Sequence, residues 1–145
     1  MKVAIFGGTF NPIHIGHLIM AQYVINYADV DKILFIPNGN PPHKSNPDMA
    51  GANERFDMVR LSIEDNPFFD ISDYELREDS HCFTVNTLDY FSKKYDKLYF
   101  IIGSDNLYEI QKWYRSNYIL MNYSLIVLPR EKDIDKVYKV IYDYK

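Results

Sequence analysis

The run His14-Ile15-Gly16-His17 stands directly behind Gly7-Gly8-Thr9-Phe10-Asn11-Pro12. Gly7 and Gly8 carry no side chain, so their backbone amides can approach a phosphate closely. Thr9 adds a hydroxyl donor. Phe10 lines the same turn. His14 and His17 lie three residues apart. On a helix that spacing puts both imidazoles on one face, and each can donate a hydrogen bond to a phosphate oxygen. A helix starting here also turns its positive end toward the same point. Such a set suits displacement at the α-phosphorus of a nucleoside triphosphate, where negative charge develops.

Competing chemistries fit these residues less well. No Gly-x-x-x-x-Gly-Lys-Ser/Thr occurs, which excludes a P-loop. No Gly-x-Gly-x-x-Gly follows the first apolar run, which argues against a dinucleotide-dependent dehydrogenase. Zinc would ask for more than two histidines. No Glu stands beside His14 in the metalloprotease pattern, and the one cysteine, Cys82, is distant. The reading therefore places no metal on protein ligands here. A lone histidine at such a point would most often cap the helix; two, beside Gly-Gly-Thr-Phe, favour a phosphate site.

These residues need a scaffold, and the apolar pattern supplies one. Short apolar runs at 3–6, 33–36, 68–71, 98–102 and 125–128 read as strands. Helical spacing marks 15–28, 53–65, 84–94 and 113–120, with a last helix through Ile134, Val137 and Ile141. Residues 37–42, Pro-Asn-Gly-Asn-Pro-Pro, read as a loop. Strands alternating with helices predict an α/β fold, a Rossmann-like doubly wound parallel sheet of about five strands. Ligands then bind beyond the strand carboxyl ends, where strand order reverses. The Gly7-Gly8-Thr9 junction, the Pro-rich loop and Gly103-Ser104-Asp105 all fall at such ends.

Length and composition agree with that scaffold. A chain of 145 residues with 47% hydrophobic content suits one globular domain. Its net charge of -4, without blocks of like charge, argues against a nucleic-acid partner bound by a broad basic face. One cysteine excludes an internal disulfide and fits a reducing compartment. No apolar run reaches spanning length and no signal peptide is seen, so the expected location is cytoplasmic with no membrane partner.

The segment from Gly7 to Leu18 resembles the nucleotidylyltransferase superfamily. Class I aminoacyl-tRNA synthetases share His-x-Gly-His, but they need a far longer chain and a Lys-Met-Ser-Lys-Ser-like segment. The later segments choose among members. Pro37-Asn38-x-x-Pro41-Pro42-His43-Lys44 and Glu54-Arg55-Phe56-x-Met58 resemble bacterial nicotinate-nucleotide adenylyltransferases. So do Glu75-Leu76, Phe83-Thr84-Val85-Asn86-Thr87-Leu88, Ile102-Gly103-Ser104-Asp105 and Trp113. Pantetheine-phosphate adenylyltransferases usually carry Thr for the first histidine and lack the Pro-Pro-His-Lys loop.

The resemblance implies transfer of the adenylyl group of ATP to nicotinate mononucleotide, giving deamido-NAD and pyrophosphate. His14 and His17 would hold the transferring and leaving phosphates. Gly7, Gly8, Thr9, Phe10, Gly103 and Asp105 would line the ATP side. His43, Lys44, Thr84, Asp105, Trp113 and Arg130 would hold the mononucleotide, with Trp113 stacking on its ring. Mg2+ would come with ATP, held by phosphates and water.

Several positions depart from the family pattern. Asn11 replaces the more usual Asp. Cys82-Phe83 replace Ser-Tyr, and Ser80-His81 stand where Gly-Pro is common. The family's Ile-Ser-Ser-Thr-x-Ile-Arg segment is not found through Lys145. The expectation is one nucleotidylyltransferase domain, 1–145, without that C-terminal ATP-binding motif. The alternatives are another small-molecule nucleotidylyltransferase, of phosphopantetheine or cytidyl type, and a non-catalytic nucleotide-binding domain.

Overall fold

The structure, a computed structural model, describes residues 1–39, 49–77, 83–129 and 134–143, with side chains through 140. The five apolar runs become five strands: β1 (Lys2–Gly8), β2 (Lys32–Pro37), β3 (Phe69–Ile71), β4 (Lys97–Gly103) and β5 (Ser124–Leu128). They form one sheet in the order β3-β2-β1-β4-β5, with every neighbouring pair parallel. Parallel neighbours need crossovers, and helices provide them. α1 (Ile15–Tyr27) links β1 to β2, and α2 (Ala52–Ile63) links β2 to β3. α3 (Tyr74–Arg77) and α4 (Thr84–Ser92) lead to β4. α5 (Ser104–Glu109) and α6 (Ser116–Asn122) lead to β5, and α7 (Ile134–Asp143) follows it.

The sheet is buried on both faces, which is why its strands read as unbroken apolar runs. Alternate residues of β1 serve the two layers. Ala4 and Phe6 pack with Ala21 and Val24 of α1 and with Val59 and Ile63 of α2. Val3 and Ile5 pack on the other side with Val85, Leu88 and Phe91 of α4, and with Leu107 and Val137. The predicted doubly wound α/β fold is thus the observed one. From β1 the chain winds outward through β2 and β3; β4 and β5 lie on the other side of β1. Strand order reverses between β1 and β4, and a crevice opens at their carboxyl ends.

One helix differs from the sequence reading. Residues 113–120 are not a continuous helix. α5 is followed by a single 3-10 turn, Ile110–Lys112. Trp113 is extended, with φ -74° and ψ 148°, and its N–H donates to Ile110 O at 3.0 Å. Arg115 then adopts left-handed backbone at φ 54° before α6 begins. The apolar spacing of Leu107, Ile110 and Trp113 is helical, and periodicity cannot register a break that keeps the same inward face. α3 was also not anticipated; four residues are too few to show a period. Among the described residues no helix is long and apolar enough to cross a membrane.

Candidate active site

The first junction is a loop of Thr9 to Ile13 between β1 and α1. It contains a cis Asn11–Pro12 peptide, and Phe10 has a positive φ of 49°. Left-handed backbone is unusual for an aromatic residue. Burial holds it there: the Phe10 ring packs edge-on to Phe6 at 5.5 Å and to His17 at 5.1 Å. Asn11 Oδ1 accepts from the Ala50 N–H at 3.0 Å. An Asp oxygen would accept the same bond, which explains why this departure from the family pattern costs little.

The two histidines close the start of α1 in a reciprocal capping box. His14 Nδ1 accepts from the Gly16 N–H at 3.1 Å, and His17 Nδ1 accepts from the His14 N–H at 3.1 Å. The pattern is that of Ser-x-x-Glu boxes, built from imidazoles. It fixes the tautomers: an Nδ1 that accepts leaves the proton of a neutral ring on Nε2. Both rings then offer an Nε2–H donor. They stack with centroids 3.8 Å apart. Burial, and then the neighbouring His14, push the His17 pKa below its ordinary 6.5, so His17 is neutral at pH 7. The capping reading and the phosphate reading are compatible, because they use different nitrogens. The first backbone N–H groups of α1 are already engaged, so the positive end of the helix offers fewer free donors than its position suggests. Gly16 N–H is taken by His14 Nδ1, and His17 and Leu18 N–H by His14 O, at 3.0 and 3.4 Å.

The neighbouring strand ends complete the crevice. Gly8 pairs with Pro37 across β1 and β2, and Asn38 N–H donates to Gly8 O at 2.9 Å. Asn38 Nδ2 donates to Thr9 Oγ1 at 3.2 Å, leaving the Thr9 hydroxyl proton to donate elsewhere. Packing does not demand glycine at position 7, where an added Cβ would meet only ordinary contacts at 3.8 and 3.9 Å. At Gly103, the last residue of β4, it would meet nothing within 4 Å. Gly103 thus leaves bare backbone facing open space.

A cavity of about 160 Å³ continues from this junction into the crevice between β1 and β4. Gly7, Gly8, Asn38, Thr84, Asn106 and Trp113 line it, together with Glu75 of α3. Trp113 is half-buried and meets Phe100 edge-on at 6.0 Å. Thr84 opens α4, whose first turn has no side-chain cap. Asp105 lies in the first turn of α5, whose capping position is Gly103. The structure therefore gathers Gly7, Gly8, Thr84 and Trp113 around one cavity; Thr9, Phe10, His14 and His17 follow Gly8 in the chain and do not line it. His43, Lys44 and Arg130, and Cys82 with them, lie outside the described residues.

Three contributors were not singled out from sequence. Glu75 lines the cavity, and burial raises its carboxyl from 4.5 to about 7, the Thr87 hydrogen bond partly opposing. Asn38 contributes a buried Oδ1 with no hydrogen-bond partner. Arg55 is fully buried and ties three loops together. It donates to Thr9 O at 2.7 Å, Asn38 O at 2.9 Å and Ala50 O at 3.0 Å. Its pKa is lowered by burial, yet a guanidinium stays charged at neutral pH. Each of the three belonged to a segment that carried the family resemblance, but their burial is a tertiary property. Among the described residues, no three His, Cys, Asp or Glu side chains gather to hold a metal ion.

A crevice at the strand-order reversal, with a glycine-rich strand end and paired imidazole donors at the start of the next helix, is the arrangement of a nucleotidyl-transferase fold. The cytidylyltransferase-like family model matches residues 5–144, and the chain belongs to that family. Relatives named probable nicotinate-nucleotide adenylyltransferase are similar over nearly the whole chain. That of Caldicellulosiruptor bescii is 62% identical over 141 residues, covering 97% of this chain and 71% of its own length. That of Clostridium tetani is 44% identical over 131 residues, covering 89% and 66%. Within the family the chain thus groups with the nicotinate-nucleotide adenylyltransferases. A solved structure from Vibrio parahaemolyticus, assigned to the same enzyme class, is 26% identical with a TM-score of 0.73, covering 93% of this chain and 84% of that one. Plasmodium falciparum nicotinic acid mononucleotide adenylyltransferase, solved with NaAD, shares the fold at 20% identity. Its TM-score is 0.80, with 96% of this chain and 70% of that one covered.

Proposed function

We propose that the chain transfers the adenylyl group of ATP to nicotinate mononucleotide, forming deamido-NAD and releasing pyrophosphate. The observation that carries this is the tautomer-locked pair of Nε2–H donors on His14 and His17, a few residues beyond Gly7 and Gly8, which line a cavity together with Trp113. The 5′-phosphate oxygen of the mononucleotide attacks the α-phosphorus in line, and the bond to the pyrophosphate oxygen breaks. Transfer of this kind rests on positioning and charge stabilisation rather than on a covalent enzyme intermediate. Neutral His17 donates to the phosphates without giving up a proton, and its fixed ring pays no reorganisation as charge builds. Gly7, Gly8, Thr9 and Phe10 shape the ATP side, with Gly103 and Asp105 across the crevice. Thr84, Asp105 and Trp113 hold the mononucleotide, and the resemblance adds His43, Lys44 and Arg130.

Mg2+ enters as part of the ATP substrate. Paired imidazoles are poor ligands for a hard cation, which favours phosphate and water oxygens. The reading is tested by pyrophosphate release from ATP with nicotinate mononucleotide, phosphopantetheine or a cytidyl acceptor in parallel. Release with nicotinate mononucleotide alone supports it. Release only with another acceptor, or ATP binding without release, overturns it.

A further inference from the structure

The proposed chemistry uses the start of α1. The outer face of the same helix is apolar and exposed. Ile15, Ile19, Tyr23 and Tyr27 follow one another at four-residue spacing and form one ridge, each side chain between 57% and 76% exposed. The Tyr23 and Tyr27 rings pack on each other with centroids 4.6 Å apart. None of the 13 residues of α1 is Asp, Glu, Lys or Arg. A single exposed isoleucine is ordinary; a continuous ridge of four large side chains marks a contact surface.

A groove of about 570 Å³ runs beside the ridge, between α1 and the turn that leads from α2 into β3. Leu18 and Ile19 wall it on one side, and Pro67, Phe68 and Phe69 on the other. Gln22 also lines it, and both ends of its amide are bonded within the chain. Its Nε2 donates to Asn26 Oδ1 at 3.0 Å, and its Oε1 accepts from Asn66 Nδ2 at 3.1 Å. Covering this face would therefore leave neither end of that amide unpaired.

The ridge is complementary to itself. A two-fold axis midway between Ile19 and Tyr23 lays two copies of α1 antiparallel. Ile19 then meets Tyr23 of the partner subunit, the same contact recurs across the axis, and Ile15 and Tyr27 are related in the same way further out. Ridges of four-residue spacing interdigitate in the commonest class of helix packing. The arrangement turns the positive start of each helix toward the negative end of the other. It also brings no charged side chain of α1 against another. The four ridge side chains expose roughly 600 Å² per copy, and Phe68 with the groove walls brings the face near the ~800 Å² a side of a standard interface.

We propose that the chain forms a two-fold dimer through the outer face of α1, with Ile19 against Tyr23 of the partner subunit at its centre. The pairing is independent of the substrate reading above.

Sedimentation equilibrium of the 145-residue chain tests it. The expected mass is that of a monomer near about 1 µM and of a dimer near about 100 µM. Ile19→Glu and Tyr23→Lys each set an unpaired charge against an apolar side chain, and each should weaken the dimer by about ten-fold or more. Both positions are exposed, so circular dichroism and melting temperature should stay close to wild type. Mixed in equal amounts, the two variants should associate about ten-fold more tightly than either alone. Their heterodimer faces Glu with Lys on one side of the axis and keeps the native Ile–Tyr contact on the other. A general loss of structure would show no such rescue. A dimer that neither substitution weakens, or a mixture no tighter than its components, overturns the pairing. So does a monomer at every concentration, which would assign the ridge to a different partner.

Discussion

Gly16 shows why a glycine stands between the two histidines. A Cβ there would sit 2.9 Å from His14 Cε1 and 3.0 Å from its Nδ1, so the capping ring must swing away. Alanine would raise helix propensity by about 0.5–1 kcal/mol and forfeit a cap worth about 1 kcal/mol. Gly16→Ala should therefore leave the melting temperature nearly unchanged, while turnover falls about ten-fold because the His14 Nε2–H is mis-aimed. Equal turnover in both proteins would disconnect the cap from catalysis. His17→Ala should cut turnover by about two orders of magnitude or more with the fold intact by circular dichroism. Near-normal rates in a folded variant would remove His17 from the mechanism.

Glu75 gives a separate, pH-dependent expectation. Its folded pKa lies above its unfolded one, so its contribution is fully present below about pH 4.5 and is lost as pH rises through about 7. Glu75→Gln should gain melting temperature relative to the wild type between pH 5 and pH 8. A constant difference would show that the carboxyl does not titrate there. The histidine pair was legible from residue types and spacing. The tautomers and the raised pKa of Glu75 were not, because they depend on backbone donors and burial that only the folded chain assembles.

Among the elements, α2 has a part in the site that its sequence hides. Its inner face carries Val59 and Ile63, as the apolar spacing implies, but also the fully buried Arg55. Residue type alone would set an arginine on the solvent side, although its spacing of four and eight residues from Val59 and Ile63 puts it on their face. It is inside because three loop carbonyls need donors, and a guanidinium can serve several acceptors at once. Arg55→Met should cost about 2–4 kcal/mol in urea unfolding, since those carbonyls lose their partners. A loss below the usual surface range of about 0.5 kcal/mol would mean water replaces the guanidinium. α1 teaches a related lesson. Ala21 and Val24 are buried, yet Ile15, Ile19, Tyr23 and Tyr27 on its other side are exposed. With both faces apolar, periodicity located this helix without telling which side faces the sheet. The boundary near Trp113 was misread because its break lies in one left-handed residue, Arg115, of no telling type.

For the whole molecule, alternation of strand and helix was enough to foresee a doubly wound sheet, because short apolar runs of this length admit few other arrangements. Strand order was not readable, since it depends on which crossover goes left or right of β1. That order decides the location of the crevice, and with it which residues meet: Gly7 from β1, Asn38 from beyond β2, Glu75 from α3 and Trp113 from beyond β4 share one wall although they span most of the chain. The Arg55 tether has a consequence for how that wall comes apart. It holds the carbonyls after β1, after β2 and before α2 with one buried charge. The three segments cannot open singly without stranding that charge away from water. In native-state hydrogen exchange the amides of Asn38, Ala50 and the first turn of α2 should therefore open as one cooperative unit, with a common free energy and a common dependence on denaturant.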